Sequence, residues 1–246
     1  MASNGDQKLR RLVLITGSNQ GIGYEMVKKL SAEHPDTHHI LLCSRNITKG
    51  QEAHKSLGSP ANVTPVQLDI TDDASVNALY ELVDSKYGKL DVLVHNAGTG
   101  GREFPKDYTV RQTYQGVYDV NVISPALMTE KFTPLLSKVM VPKLIWISSQ
   151  IGSIGSLQDG YAFFPAPWYG SSKAAMNYHA AYYARKYPQW RSHAVCPGFN
   201  ATNMSGAPMT EETHPSNGAI RVSELIMENV ASYTGTFSNK EGSLKW

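Results

Sequence analysis

In the stretch "GYAFFPAPWYGSSKAA", residues 160–175, Tyr169 and Lys173 stand four residues apart. A helix that begins near Tyr169 raises both side chains from one face. A free phenol has a pKa near ~10, and an ammonium one turn away favours its phenolate, so this pair has the composition of a tunable proton donor and acceptor. Tyr161 has Pro165 at the same spacing, which offers no charge. Tyr169 is therefore the candidate acid/base. It needs a fold that brings a reactive partner to its hydroxyl.

The elements available to do so alternate. Apolar runs of strand length occur at "RLVLITG", "HILLCSR", "VTPVQLD", "LDVLVHNAG", "KLIWISS" and "SHAVCPG". Between them, "GIGYEMVKKLSAE", "DDASVNALYELVDSKYG", "VRQTYQGVYDVNVISPALMTEKFTPLLSK" and "YGSSKAAMNYHAAYYARKY" carry apolar residues at three- and four-residue spacing. Strands that are nearly all apolar require helices on both faces. The expectation is one α/β domain over residues 1–246, a Rossmann-like doubly wound parallel sheet whose ligands bind beyond the strands' C-terminal ends. A last short strand at "GTFS" and the tail "NKEGSLKW" close the far edge.

Bulk properties narrow the function. Of 246 residues, 23 are Lys or Arg and 21 Asp or Glu, a formal charge of +2 without any block of one sign. That balance argues against nucleic acid and membrane surfaces as partners. No signal peptide or transmembrane span is read at the N-terminus, and Cys43 and Cys196 end apolar runs as small buried hydrophobes do in a reducing compartment. A cytoplasmic protein is expected. The paired His38 and His39 and the remaining histidines lack metal-ligand spacing and read as surface or structural residues, so no metal is expected.

"TGSNQGIG", residues 16–23, lies directly after the first strand and before the first helix. Gly17 permits a tight turn, Gly21 and Gly23 permit close backbone approach, and the amides at the helix start can receive a pyrophosphate. Asn19, Gln20 and Ile22 complete the turn. Together with Asp69 in "QLDI", "HNAG" at 95–98, Asn121 in "DVNV", Ser149 in "ISSQIG", Tyr169 and Lys173 in "YGSSK", and "PGFNAT" at 197–202, this turn makes the chain resemble the short-chain dehydrogenase/reductase family in its classical branch. The turns resemble those of carbonyl reductases, and the insertion before Tyr169 is similar to that of fungal polyketide-pathway ketoreductases.

The resemblance implies roles. Tyr169 would be the proton donor, Lys173 would favour its phenolate and bind the nicotinamide ribose, Ser149 would hold the substrate oxygen with Ser148 as runner-up, and Asn121 would position water linked to Lys173. Asp69 and Ile70 would meet the adenine, with a helix cap as the other reading of Asp69. Asn96, Ala97 and Gly98 would approach the ribose, and Pro197, Gly198 and Thr202 would complete the cofactor site. His95 departs from the family's asparagine but can keep a hydrogen bond there. At the end of the second strand Ser44 stands where an NAD enzyme holds a carboxylate, and Arg45 follows, a guanidinium suited to a 2′-phosphate. NADP(H) is the expected cofactor, although Gln20 replaces a second basic residue.

Substrate-covering segments are expected near 156–168 and 199–218, where Tyr161, Phe163, Phe164, Trp168, Phe199, Met204 and Met209 would favour a bulky apolar or aromatic carbonyl. The aromatic helix "MNYHAAYYARKY" reads as a packing seam that also serves a homodimer or homotetramer in such families. The expected function is NADPH-dependent reduction of a ketone or other carbonyl to an alcohol. A nucleotide-binding regulator or scaffold enzyme without net turnover is the alternative, which the complete set Asn121, Ser149, Tyr169 and Lys173 argues against.

Overall fold

Along the central strands, alternate residues divide between two cores. A computed structural model describes residues 10–161, 164–228 and 233–246. In β1 (Arg11–Ile15), Leu12 and Leu14 enter one core while Val13 and Ile15 enter the other. The later strands are β2 (His38–Ser44), β3 (Val63–Gln67), β4 (Val92–His95), β5 (Lys143–Ile147), β6 (Arg191–Val195), β7 (Thr236–Asn239) and β8 (Gly242–Ser243). In β5, Leu144 and Trp146 oppose Ile145 and Ile147 in the same way. A period of two with both sets apolar is what a sheet covered on both faces requires.

The helices are α1 (Gly21–Glu33), α2 (Ile47–Ser56), α3 (Asp73–Lys86), α4 (Val110–Tyr118), α5 (Ser124–Leu136), α6 (Ile154–Gln158), α7 (Pro167–Lys186) and α8 (Pro215–Met227). One core takes Met26, Ala53 and Val222 from α1, α2 and α8; the other takes Leu79, Phe132 and Met176 from α3, α5 and α7. The sheet order is β3-β2-β1-β4-β5-β6-β7-β8, with β1 to β7 parallel. This is the expected doubly wound α/β domain, with its reversal between β1 and β4. One strand departs from the parallel expectation. β8 runs antiparallel to β7, because a turn closed by Glu241 and Gly242 amides on Asn239 Oδ1 can only reverse the chain.

Three local departures have clear causes. Helix α2 was absent from the periodicity because only Gly50 and Ala53 of its ten residues are buried. The run 110–138 is not one regular helix. Asp119–Ile123 forms a π-helical turn between α4 and α5. Pro125 has no N–H to give the Asn121 carbonyl the usual i+4 bond. The second covering segment, expected to 218, gives way at Pro215 to α8, capped by the His214 ring on the Ser216 amide. In α7 the packing seam is Met176, Ala180, Tyr183 and Ala184, whereas Tyr178 and Tyr182 remain exposed.

Buried basic groups brace the sheet. Lys143 Nζ donates to the carbonyls of Leu225 and Ile226 at 2.7 Å and Glu228 at 2.5 Å, closing the C-terminal end of α8. His38 bonds Thr37, His39 bonds Thr64, and His193 bonds Thr236, all from buried positions. The two paired histidines are therefore structural rather than surface residues. Burial lowers His38, His39 and His193 from 6.5 to about 4, and His95 to about 3.

A depressed folded-state pKa means that these rings stabilise the fold fully above pH 6.5 and that this contribution is lost as pH falls towards about 4, where the unfolded chain binds protons that the folded chain refuses. Each ring carries on the order of 3 kcal/mol across that window, a large share of typical domain stability. Cooperative acid unfolding is expected between pH 6.5 and 4, followed by circular dichroism. Retention of the native signal at pH 4 would contradict it.

Candidate active site

The turn from β1 to α1 is shaped by what it excludes. Gly17 and Gly21 adopt φ of +61° and +58°, the left-handed region that favours glycine. A Cβ on Gly23 would stand 2.6 Å from Asn96 Nδ2 and 2.7 Å from Ser18 Cα. Asn96 fixes this turn by donating through Nδ2 to the carbonyls of Thr16 and Gly17 at 2.8 and 3.1 Å. The Thr16 hydroxyl accepts from the Asn96 and Ala97 amides. The N-terminus of α1 has no side-chain cap and no acidic residue in its first turn, so its amides face the cleft at the β1/β4 reversal without a protein anion. Gln20 and Asn19 lie on the rim, and Gln20 Oε1 accepts from Asn203 Nδ2 at 3.1 Å. Ile22, in the first turn of α1, packs against the core.

The other candidate cofactor residues ring the same sheet end. Ser44 is buried, and its hydroxyl donates to the Asn46 carbonyl at 2.8 Å. Arg45 is exposed, with no side-chain partner among the described residues. Asn46 caps α2 through the Thr48 and Lys49 amides. Asp69 is not the cap of α3. That role falls to Asp72, while Asp69 Oδ1 accepts from the Thr71 amide and hydroxyl. Ile70 is buried beside it. After β6, Asn200 donates to the carbonyls of Pro197 and Gly198 and accepts from the Gly218 amide, rooting the segment that carries Thr202. A Cβ on Gly21 would meet Thr202 Cγ2 at 3.4 Å, so this segment abuts the glycine turn.

Tyr169 and Lys173 rise together from the first turns of α7, with Lys173 Nζ 5.6 Å from the Tyr169 ring centre. Ser149 begins the turn after β5, its Oγ accepting from the Ile151 amide at 3.3 Å. Ser148 instead donates to the Lys173 carbonyl from a buried position. Lys173 is buried and donates to the Ile147 carbonyl at 2.8 Å and to Met176 Sδ at 3.3 Å. Burial pushes the Tyr169 phenol up to about 12, with Cys196 adding to the rise and the Ser149 hydroxyl opposing it. Burial lowers Lys173 to about 8. Cys196, a free buried thiol, is an electrostatic neighbour of both groups, and its place before Pro197 was the only sequence sign of it.

Asn121 joins these parts. Its Oδ1 accepts from the Thr99 amide at 2.8 Å, and its Nδ2 donates to the Thr99 carbonyl at 2.9 Å and to Ser172 Oγ at 3.0 Å. Ser172 donates onward to the Tyr169 carbonyl at 2.7 Å. Gly98 sits against this junction, for its missing Cβ would lie 3.2 Å from Asn121 Oδ1, 3.6 Å from Lys173 Nζ and 3.7 Å from Met204 Cε. Thr99 and Ser172 escaped the sequence reading, although Ser172 directly precedes Lys173. His95 keeps a hydrogen bond, to Thr129 Oγ1 at 2.8 Å, and lies 4.4 Å from the Trp146 ring. Of the covering residues, Phe164 meets Tyr169 edge-on at 5.9 Å and Trp168 Nε1 donates to the Gly100 carbonyl at 3.2 Å. Phe199 and Met209 are 71% and 62% exposed. Phe163 lies outside the described residues.

The short chain dehydrogenase family profile matches residues 11–213. The chain belongs to the short-chain dehydrogenase family. This is an oxidoreductase family using NAD(P). The chain is 30% identical over 254 aligned positions to the short-chain dehydrogenase/reductase ATR10 of Stachybotrys chlorohalonatus, covering 96% of this chain and 90% of that one. It is likewise 30% identical over 254 positions to (+)-neomenthol dehydrogenase of Arabidopsis thaliana, covering 79% and 84%. The NADPH-bound carbonyl reductase from chicken fatty liver superposes with a TM-score of 0.82 at 27% identity, covering 96% and 94%. The glycine cradle and the uncapped α1 terminus, at the sheet end where β1 and β4 diverge, fit the family's dinucleotide. Among the described residues no group of three His, Cys, Asp or Glu is placed to hold a metal, and no helix is long and apolar enough to cross a membrane.

The buried amide of Asn121 yields a stability test. Asn121→Ala leaves the Thr99 N–H and C=O without their partner, a cost of about 1–3 kcal/mol for each unsatisfied group. Chemical denaturation should show a lower midpoint with an unchanged m-value. A midpoint equal to wild type would show that the clamp is dispensable for stability.

Proposed function

We propose that this short-chain dehydrogenase is an NADPH-dependent reductase of ketones or other carbonyls, acting on a bulky apolar or aromatic small molecule. The observation that carries the reading is the Tyr169–Lys173 pair on one face of α7, with the Ser149 hydroxyl beside the phenol, at the sheet end where the glycine turn opens. The relatives named as a carbonyl reductase and a neomenthol dehydrogenase support a carbonyl or alcohol as substrate. Phe164, Trp168 and Met204 support an apolar one. Exposed Tyr178 and Tyr182 on α7 support a homodimer.

Bound NADPH would supply the hydride that converts the carbonyl carbon to an alcohol carbon. The residues of this chain handle the proton. Ser149 Oγ holds the carbonyl oxygen and Tyr169 gives it the phenolic proton, a transfer open to a phenol held neutral by burial. The Lys173 ammonium stabilises the resulting phenolate. The phenolate recovers its proton from water held at the Asn121 carbonyl, to which Pro125 offers no N–H. The cradle of Gly17, Gly21 and Gly23 would receive the pyrophosphate, Asp69 and Ile70 would hold the adenine, and Arg45 would bind the 2′-phosphate.

Tyr169→Phe should lower kcat by roughly 100- to 10,000-fold at near-normal NADPH affinity, whereas Tyr161→Phe should retain most turnover; NADPH consumption with a panel of ketones measures both. Binding of NADPH without consumption by the wild-type chain would favour a nucleotide-binding regulator instead.

The pH profile of reduction follows from Lys173. Its ammonium is present below about pH 8 and lost above it, so kcat/KM should decline as pH rises through that value. A flat profile to pH 9.5 would remove Lys173 from this role.

Arg45→Ala should weaken NADPH by roughly tenfold or more relative to NADH, since hydrogen bonds to charged groups are among the strong ones. Titration of both cofactors at fixed low salt measures the ratio, and an unchanged ratio would reject Arg45 as the discriminator.

A further inference from the structure

The turn 202–206 touches two sides of the site. At one end Thr202 Cγ2 lies 3.4 Å from where a Cβ on Gly21 would stand, and Asn203 Nδ2 donates to Gln20 Oε1 at 3.1 Å, so this end rests on the glycine turn. At the other end Met204 lies on the loop that follows β4. A Cβ on Gly98 would stand 3.7 Å from Met204 Cε, and one on Gly100 would stand 3.5 Å from Met204 Cγ. The same position on Gly98 is 3.6 Å from Lys173 Nζ and 3.2 Å from Asn121 Oδ1, so Met204 and Lys173 converge on Gly98. The Gly100 carbonyl accepts from Trp168, the residue before Tyr169, at 3.2 Å.

The turn is tied to itself through Ser205. Its Oγ donates to the Asn200 carbonyl at 2.7 Å and accepts from the Thr202 and Ala207 amides at 3.1 and 3.2 Å, while the Gly206 amide donates to the Thr202 carbonyl at 2.9 Å. These bonds let 202–207 move as a unit, and none of them joins it to the loop after β4. Arg102 makes that joint. Its Nη1 donates to the Ser205 carbonyl. Gly206 has φ of +62°, and a Cβ there would stand 2.5 Å from Arg102 Nη1 and 3.2 Å from its Cζ and Nη2, so the guanidinium closes directly over this residue. Arg102 belongs to none of the motifs by which the chain resembles its family.

We propose that Arg102 is a positioning residue that clasps the turn 202–206 over the reacting end of the site, keeping Met204 against Gly98 and Gly100 as a wall for the carbonyl substrate. It acts through Ser205 and Met204 and touches no reacting atom. The proposal rests on the reading of this site as carbonyl-reducing. A substrate that needs the wall binds only while the clasp is made, so its apparent affinity falls with the fraction of time the turn is closed. The contacts of Thr202 and Asn203 with the glycine turn do not pass through Arg102, which leaves cofactor binding outside its effect.

The test is Arg102→Met in the full chain, a change that keeps an unbranched stem and removes the donor. Arg102 is exposed, so the thermal midpoint should stay that of wild type. KM for the ketone turned over fastest should rise on the order of fivefold, with kcat and NADPH affinity within about twofold. Amide exchange over 202–207 should accelerate on the order of fivefold. Arg102→Lys returns a donor on a flexible stem and should recover most of the wild-type KM. An unchanged KM in Arg102→Met overturns the proposal, as does a lysine variant no better than the methionine one. NADPH affinity that falls as far as KM rises overturns the assignment to substrate. If the wild-type chain reduces no carbonyl, the functional reading falls, and exchange over 202–207 alone decides the clasp: acceleration in the methionine variant supports it and unchanged exchange overturns it.

Discussion

One buried side-chain amide, that of Asn121, holds three separate pieces of chain in register. It pairs with both backbone groups of Thr99, beyond β4, as a neighbouring strand would, and it reaches Ser172 on α7 with its remaining proton. In a low-dielectric setting such a network is rigid when complete and costly when broken. The helical run around Asn121 gives up regular geometry to present it, through the π-helical turn at Asp119–Ile123. Lys173, one residue after Ser172, inherits its position from this junction, as does Gly98, where a methyl group would press on Asn121 Oδ1 at 3.2 Å.

Burial sets the electrostatic state of the pair. Tyr169 and Lys173 are each pushed towards neutrality, the phenol upward and the amine downward, since neither form of charge is well solvated there. The first shift keeps the phenol protonated but makes it a weaker acid, so release of its proton depends on stabilisation of the phenolate. The second places the loss of the ammonium near pH 8, and burial is the leading cause of both shifts. The Ser149 hydroxyl acts against the rise at Tyr169 without cancelling it.

The amino-acid pattern disclosed the sheet and the ends of its strands because both depend on local periodicity and turn chemistry. Gly17, Gly21 and Gly23 announce a close backbone approach, and the four-residue spacing of Tyr169 and Lys173 announces a shared helix face. Other features depend on partners distant along the chain. Helix α2 has almost no apolar face, so it left no periodic trace. Thr99 acts through its backbone, which no residue type reveals. Cys196 gained its relation to Tyr169 only when β6 was laid beside β5. The choice between Ser148 and Ser149 was a matter of register, and the inward bond from Ser148 to the Lys173 carbonyl shows how adjacent hydroxyls at a strand end take opposite directions.

The two borders of the sheet bear on how copies of the chain can meet. At one border β3 contains Pro65, which has no amide hydrogen to offer a passing strand. At the other, β8 pairs with β7 over only two residues before the chain leaves for α6. A row of open backbone groups is the usual template for runaway strand addition, and here one side is interrupted while the other is brief. Cross-β growth from the native state is thereby blunted at both ends. Any regular assembly of this chain is steered to its helical faces, where side chains rather than backbone decide which surfaces match.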